Sequence, residues 1–173
     1  MTHPEDPALE EVPAQPYVAV RSDVTMDNFR SVIDQNFGRP FAWLGENGLR
    51  PAGPPFIRYL ALDKDGNPSR IEFGVTMAER VEPGDGLVSG DVPAGLYVAY
   101  THVGPYQHAE LEDLAGASER VLGWVEREGL SVAAHPSGEG RELEASFEFY
   151  LTDPSSEEDF TKWVTRILML VES

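Results

Sequence analysis

The sequence contains no cysteine, which excludes disulfides, thiolate nucleophiles and cysteine-based metal sites. Lysine is nearly absent. Only Lys64 and Lys162 are found among 13 basic residues, against 30 acidic ones and a net charge of −17. A surface of that sign repels phosphate backbones and attracts cations, so direct nucleic-acid binding is not expected. No apolar run approaches a membrane span, and no basic leader precedes one, so a cytoplasmic protein with no membrane role is expected. Phosphate loops, dinucleotide fingerprints and nucleophile elbows are also missing. Of the four histidines (His3, His102, His108 and His135), His102 and His108 lie near Glu110, but at no metal-ligand spacing. Neither a metal nor another cofactor is expected.

What is present describes a folded chain. Its 173 residues are 41% hydrophobic, with three Trp, six Tyr and eight Phe, enough for one domain with a substantial core. Residues 1–12 are acidic, proline-bearing and non-periodic, and read as a disordered tail. After them the chain repeats itself. The segment from Pro13 to Val20 matches that from Pro93 to Tyr100, and Trp43 with Gly48-Leu49 matches Trp124 with Gly129-Leu130. Pro55 then matches Pro136. After an insertion around Ser137-Gly138-Glu139-Gly140, Phe56, Tyr59 and Leu60 match Phe147, Tyr150 and Leu151. The pattern predicts a single domain over 13–173, built by internal duplication into module one (13–83) and module two (84–173).

Each module reads strand, helix, strand, strand. In module one, strands are expected over 17–24, 56–62 and 70–79. A helix is expected from Thr25, carrying Phe29, Val32, Ile33 and Phe37, and a second helical piece over 41–47. In module two, strands are expected over 87–89, 97–102, 143–152 and 162–171, with a helical turn at 156–160. A long helix there places Leu111, Leu114, Ser118, Val121 and Val125 on one stripe. The fold class is α+β: two pseudo-symmetric β-α-β-β modules, mostly antiparallel sheet with helices on one face, and a groove between the halves.

The stretch from Ser146 to Tyr150 carries the chemistry. Strand alternation puts Phe147, Phe149 and Leu151 on one face, and Glu148 with Tyr150 on the other. A carboxylate in such apolar surroundings needs a cation, hydrogen bonds or a raised pKa. The bland alternative is an edge carboxylate in water, or one paired with an arginine such as Arg58. Module one has Ile57 at the matching place, and Val20 where module two has Tyr100. These substitutions make module two the polar half of an otherwise repeated design. Trp43 and Trp124 sit near helix ends, where core packing explains them, although either is also a candidate pocket floor.

Three blocks carry a resemblance: Pro93-Ala94-Gly95-x-Tyr97-x3-Thr101-His102-x-Gly104-Pro105-Tyr106, Trp124-x4-Gly129-Leu130, and Glu148-x-Tyr150-x2-Asp153-Pro154. Together they resemble the GyrI-like small-molecule-binding family, which includes effector-binding domains of multidrug-responsive bacterial transcription regulators. The resemblance implies paired modules with a ligand groove between them, and a carboxylate at Glu148 that meets lipophilic cations against stacked aromatic rings. Some stand-alone members are similar to hydrolases that open strained cyclopropane rings of DNA-alkylating natural products with a Tyr and Glu pair. The last strand departs from the family pattern: Arg166 stands where an acid is expected, and Leu170 where a proline is. No helix-turn-helix segment is read in the sequence, so DNA binding would come from a separate partner.

Three functions follow as expectations. The first is a stand-alone binding protein for bulky hydrophobic, preferably cationic small molecules, with Glu148, Tyr150, Tyr59, Tyr100, Trp124 and Trp43 as ligand contacts. The second is a hydrolase of strained electrophiles, with Glu148 and Tyr150 catalytic. The third is a protein-partner role, with a regulator or with DNA gyrase.

Overall fold

The computed structural model describes residues 6–84 and 86–172. Its strands are β1 (Ala8–Val12), β2 (Gln15–Asp23), β3 (Pro55–Leu62), β4 (Pro68–Thr76), β5 (Val88–Val92), β6 (Gly95–Val103), β7 (Ala134–Ser137), β8 (Gly140–Leu143), β9 (Ser146–Tyr150) and β10 (Val164–Leu170). Helices α1 (Phe29–Asn36), α2 (Arg39–Glu46) and α3 (Leu114–Arg127) lie between them, with a single 3-10 turn at Phe160–Lys162. The strands form one curled sheet in the order β1-β6-β10-β9-β3-β4-β2-β5, with the β7–β8 hairpin attached to β3 through β8. Pairing between the strands is antiparallel throughout. This is an α+β fold, and it is pseudo-symmetric. Outward from the β3–β9 seam, β3-β4-β2-β5 mirrors β9-β10-β6-β1.

Alternation along the strands separates two faces. On one, Val18, Val20, Val75 and Met77 meet Trp43 and Leu44 of α2, while Val98, Tyr100, Ile167 and Met169 meet Ala117, Val121 and Val125 of α3. The opposite face is lined by Tyr17, Phe56, Tyr97, Phe147, Phe149 and Leu168, closed at the rims by Val12 of β1 and Val92 of β5. Gly48 (φ 65°) and Gly129 (φ 71°) adopt the left-handed conformation just after α2 and α3.

Several expectations need correction. The expected tail is structured over Ala8–Val12, where β1 pairs with β6; residues 1–5 lie outside the described part. Without β1 the backbone of β6 would be an unpaired edge, and Val12 packs on the core while Glu10 ion-pairs with Arg166. Five residues with three of them exposed give almost no periodic signal. β5 likewise crosses between modules and hydrogen-bonds β2. The strand expected over 143–152 is split, because the inserted segment closes a hairpin at Gly138 and β9 begins afresh at Ser146. Leu151 lies beyond the strand and is 50% exposed.

Helix starts shift too. Thr25 and Asn28 exchange hydrogen bonds (Thr25 N–H to Asn28 Oδ1, 2.7 Å; Asn28 N–H to Thr25 Oγ1, 3.3 Å), making a capped turn ahead of α1. Asp113 accepts from Gly116 N–H at 3.1 Å and starts α3, which leaves Leu111 outside the helix and exposed. The helical turn expected at 156–160 is found at Phe160–Lys162.

Phe147 is fully buried, its ring 5.6 Å from Phe56 and 5.5 Å from Phe149. Phe147→Ala is expected to cost about 3–5 kcal/mol in urea unfolding, whereas Leu151→Ala, just past the end of β9, costs less than about 1 kcal/mol.

Candidate functional site: a carboxylate between two phenols

Glu148 sits at the centre of a row that crosses the sheet on its helix-bearing face. Reading the pairings across, the row is Val20, Phe73, Ile57, Glu148, Ile167 and Tyr100. The seam between β3 and β9 runs between Ile57 and Glu148. The carboxylate is therefore placed where the two halves meet, flanked by apolar side chains on both neighbouring strands. It is 6% exposed, so the expectation of a water-facing edge carboxylate fails.

Two phenols hold it. Tyr59, from β3, donates to Glu148 Oε1 at 2.7 Å, and Tyr150, from β9, donates to the same oxygen at 2.8 Å. No cation among the described residues pairs with it. Arg58 points to the opposite face, where its Nη1 donates to the Tyr17 hydroxyl at 2.7 Å and its guanidinium lies 5.2 Å from the Phe147 ring centre. Arg166 also lies on that far face, against Glu10. Burial raises the Glu148 pKa above the ordinary carboxylate value, while the two phenol hydrogen bonds pull it back down. Burial next to that carboxylate drives both phenols well above the usual tyrosine range, so they remain neutral donors.

Around this triad is an aromatic and aliphatic lining. Tyr106 packs edge-on to Tyr150 with ring centres 5.4 Å apart, and Trp163 lies 4.8 Å from Tyr106. Burial first, then the charges of Asp153 and Glu148, push the Tyr106 hydroxyl up to about 12. Phe29, Val32 and Ile33 of α1 pack on the same cluster that Tyr59 and Tyr150 join, made of Val24, Ile57, Ile71 and Phe73. α1 itself has no buried residue.

The residues singled out in the sequence separate into three places. Glu148, Tyr59 and Tyr150 come together. Tyr100 lies in the same row one strand beyond Ile167, with Trp124 on the adjoining cluster under α3. Trp43 belongs to the α2 cluster and faces a small cleft with Arg39, Glu46 and Leu87, away from the carboxylate. Trp163 is missed by the sequence reading, and Tyr106 appears there only inside a motif. The signal available for Tyr106 was the Gly104-Pro105-Tyr106 turn, and for Trp163 an aromatic pair, Phe160 and Trp163, in an otherwise acidic loop. A cleft of about 550 Å³ opens elsewhere, between the β3–β4 turn and the β7–β8 hairpin, lined by mixed charges including Asp63, Arg70, Arg141 and Glu142.

The family model for the GyrI-like small molecule binding domain matches residues 5–172. The chain belongs to the GyrI-like small-molecule-binding family. No curated protein matches the sequence. Among solved structures, EcmrR in its DNA complex aligns at TM-score 0.74 and 21% identity over 97% of this chain. That alignment spans 57% of the EcmrR chain, and the isolated EcmrR C-terminal domain aligns at TM-score 0.67 and 20% identity over 97% of this chain and 98% of its own. A hydrolase from Listeria innocua aligns at TM-score 0.61 and 15% identity, covering 97% of this chain and 92% of its own. SAV2435, solved with tetraphenylphosphonium bound, aligns at TM-score 0.56 and 12% identity, covering 97% and 94%. At these identities the likeness is one of fold. Among the described residues no helix is long and apolar enough to cross a membrane.

The raised Glu148 pKa fixes the sign of a stability effect. The folded state takes up a proton more readily than the unfolded chain, so stability falls as pH rises from the unfolded carboxylate pKa through the folded one. Glu148→Gln removes this penalty while keeping an oxygen for both phenols. Its melting temperature, without ligand, is expected to exceed that of the parent at neutral pH, by about 2–4 °C for each kcal/mol relieved. The difference should disappear in melts run below the ordinary carboxylate pKa of 4.5.

Proposed function

We propose that this GyrI-like domain binds bulky, flat, lipophilic molecules, preferentially cations, with Glu148 as the countercharge. One observation carries the reading: a buried carboxylate at the seam has two neutral phenol donors and no cationic partner among the described residues. A cation brought to that place would supply what the protein leaves out, in surroundings of low dielectric where the attraction is far stronger than in water. Tyr59, Tyr150, Tyr106 and Trp163 offer ring surface, and cation–π contact adds roughly 0.5–2 kcal/mol as water is excluded. Aromatic walls around one fixed charge select for charge while tolerating many shapes.

Tyr100 and Trp124 extend the wall toward α3 in this reading, and Trp43 serves the core. Admission of a ligand requires cover to move, and α1, which packs on the cluster of the two phenols yet has no fully buried residue, is a natural element to give way. The tetraphenylphosphonium complex of SAV2435 supports the cation preference, and the EcmrR likeness supports an effector-sensing role beside a separate DNA-binding partner. We further infer a cytoplasmic location and an origin of the two modules by internal duplication.

A second reading is favoured by the same pair of groups. A carboxylate of raised pKa within hydrogen-bond reach of phenols can accept a proton from water while a hydroxyl steadies a developing oxyanion. The neighbour from Listeria innocua, a hydrolase, is consistent with it. Opening of a strained cyclopropane electrophile in a product assay separates turnover from binding. A protein-partner role, including one with gyrase, draws only on the acidic surface.

Calorimetric titration tests the leading reading. Tetraphenylphosphonium should bind Glu148→Gln at least about tenfold more weakly than the parent, since losing a desolvated charge pair costs on the order of 2–5 kcal/mol. A neutral aromatic, N-phenylnaphthylamine, should bind both proteins alike. Equal affinity of the two proteins for the phosphonium overturns the assignment.

A further inference from the structure

A second polar group lies beside the carboxylate without a partner. Thr165 is fully buried, and its Oγ1 makes no hydrogen bond among the described residues. The strand register places it opposite Tyr150 on β9 and opposite His102 on β6, on the same face as Glu148. His102 is itself buried and bonded through Nε2 to the Pro105 carbonyl at 3.1 Å. The equivalent positions in module one follow from the pairing of Tyr59 with Ile71, and of Ile71 with Ser22. Thr165 thus occupies the position that Ile71 fills with hydrocarbon. The polar replacement at Glu148 extends one strand further.

A buried hydroxyl with no partner is a standing penalty, and an isoleucine or valine would remove it. Directly opposed residues in a sheet have Cβ atoms about 4.5–5.5 Å apart, and diagonal neighbours about 7–8 Å. Thr165 is the first kind of neighbour to Tyr150 and the second kind to Glu148. A molecule stacked on Tyr150 with its charge at Glu148 therefore has its far edge at Thr165.

We propose that Thr165 is a specificity-determining ligand contact, selecting aromatic cations that carry a hydrogen-bonding group about one ring's breadth from the positive charge. The inference rests on the cation reading of Glu148, and its test separates the two. Ethidium is an aromatic cation with primary amines, whereas tetraphenylphosphonium has no hydrogen-bonding group. Thr165→Val removes the hydroxyl at nearly constant volume, and Thr165→Ser retains it. In titrations, Thr165→Val is expected to weaken ethidium about three- to tenfold and leave the phosphonium unchanged, with Thr165→Ser close to the parent for both. Without ligand, Thr165→Val should melt at or above the parent temperature, which shows that any lost affinity is not lost folding. If Glu148→Gln weakens the phosphonium but Thr165→Val leaves ethidium unaffected, only the Thr165 assignment falls. Equal weakening of both probes by Thr165→Val gives the residue a merely structural role and also overturns it. If neither probe binds the parent protein, both assignments fall together.

Discussion

The carboxylate of Glu148, taken out of water and held by two phenols, is the constraint on which the site depends. An isolated charge in such a place is costly, and the hydrogen bonds of neutral donors offset only part of that cost. The fold supplies several conditions that keep it there. β9 is central, so the backbone of Glu148 is paired on both sides and cannot turn the side chain out to solvent. Ile57 and Ile167 flank it across the sheet, and the α1 cluster adjoins its two phenols. Moving the carboxylate to water would expose that apolar surface.

A second buried glutamate shows that burial alone does not mark a ligand site. Glu72, on the opposite face, is 1% exposed and accepts from Arg21 Nε at 3.0 Å and Nη2 at 2.8 Å, and from the Tyr17 hydroxyl. Its charge is matched within the protein, as buried charges usually are. The two glutamates differ in the partner, not in the depth. Glu72 completes a structural network with Tyr17 and Arg58, whereas Glu148 has donors without a countercharge among the described residues.

Much of this was legible in the sequence because strands alternate and the two halves share a pattern. Phe147 and Phe149 against Glu148 and Tyr150 could be read from alternation, and the match of Tyr59 with Tyr150 brought a second phenol into view. The sequence could not show that both hydroxyls reach one oxygen, since that depends on the antiparallel stagger across β3 and β9. Nor could it show the face taken by Arg58, which decides whether Glu148 is paired. β1 was hidden by its composition: prolines and acids near a terminus resemble a tail, and only the open edge of β6 makes those residues a strand. Tyr106 and Trp163 were hidden differently. They come from connecting segments, Gly104 to Asp113 and Leu151 to Trp163, too short of regular structure for any periodicity to report which way a ring will point.

The seam and the site are one object. β3 and β9 share only three paired positions, Phe56 with Phe149, Ile57 with Glu148 and Arg58 with Phe147. On one face the seam is filled by Phe56, Phe147 and Phe149, and on the other it is crossed by the hydrogen bond from Tyr59 to Glu148. Neither half alone holds both the carboxylate and its two donors. The edge strands reinforce this dependence, because β1 completes the sheet of module two and β5 that of module one. Each half thus needs the other for its outer strand as well as for the seam. A change at Glu148 is therefore felt at the junction of the halves, and in the proposed reading a cation held there meets both modules at once.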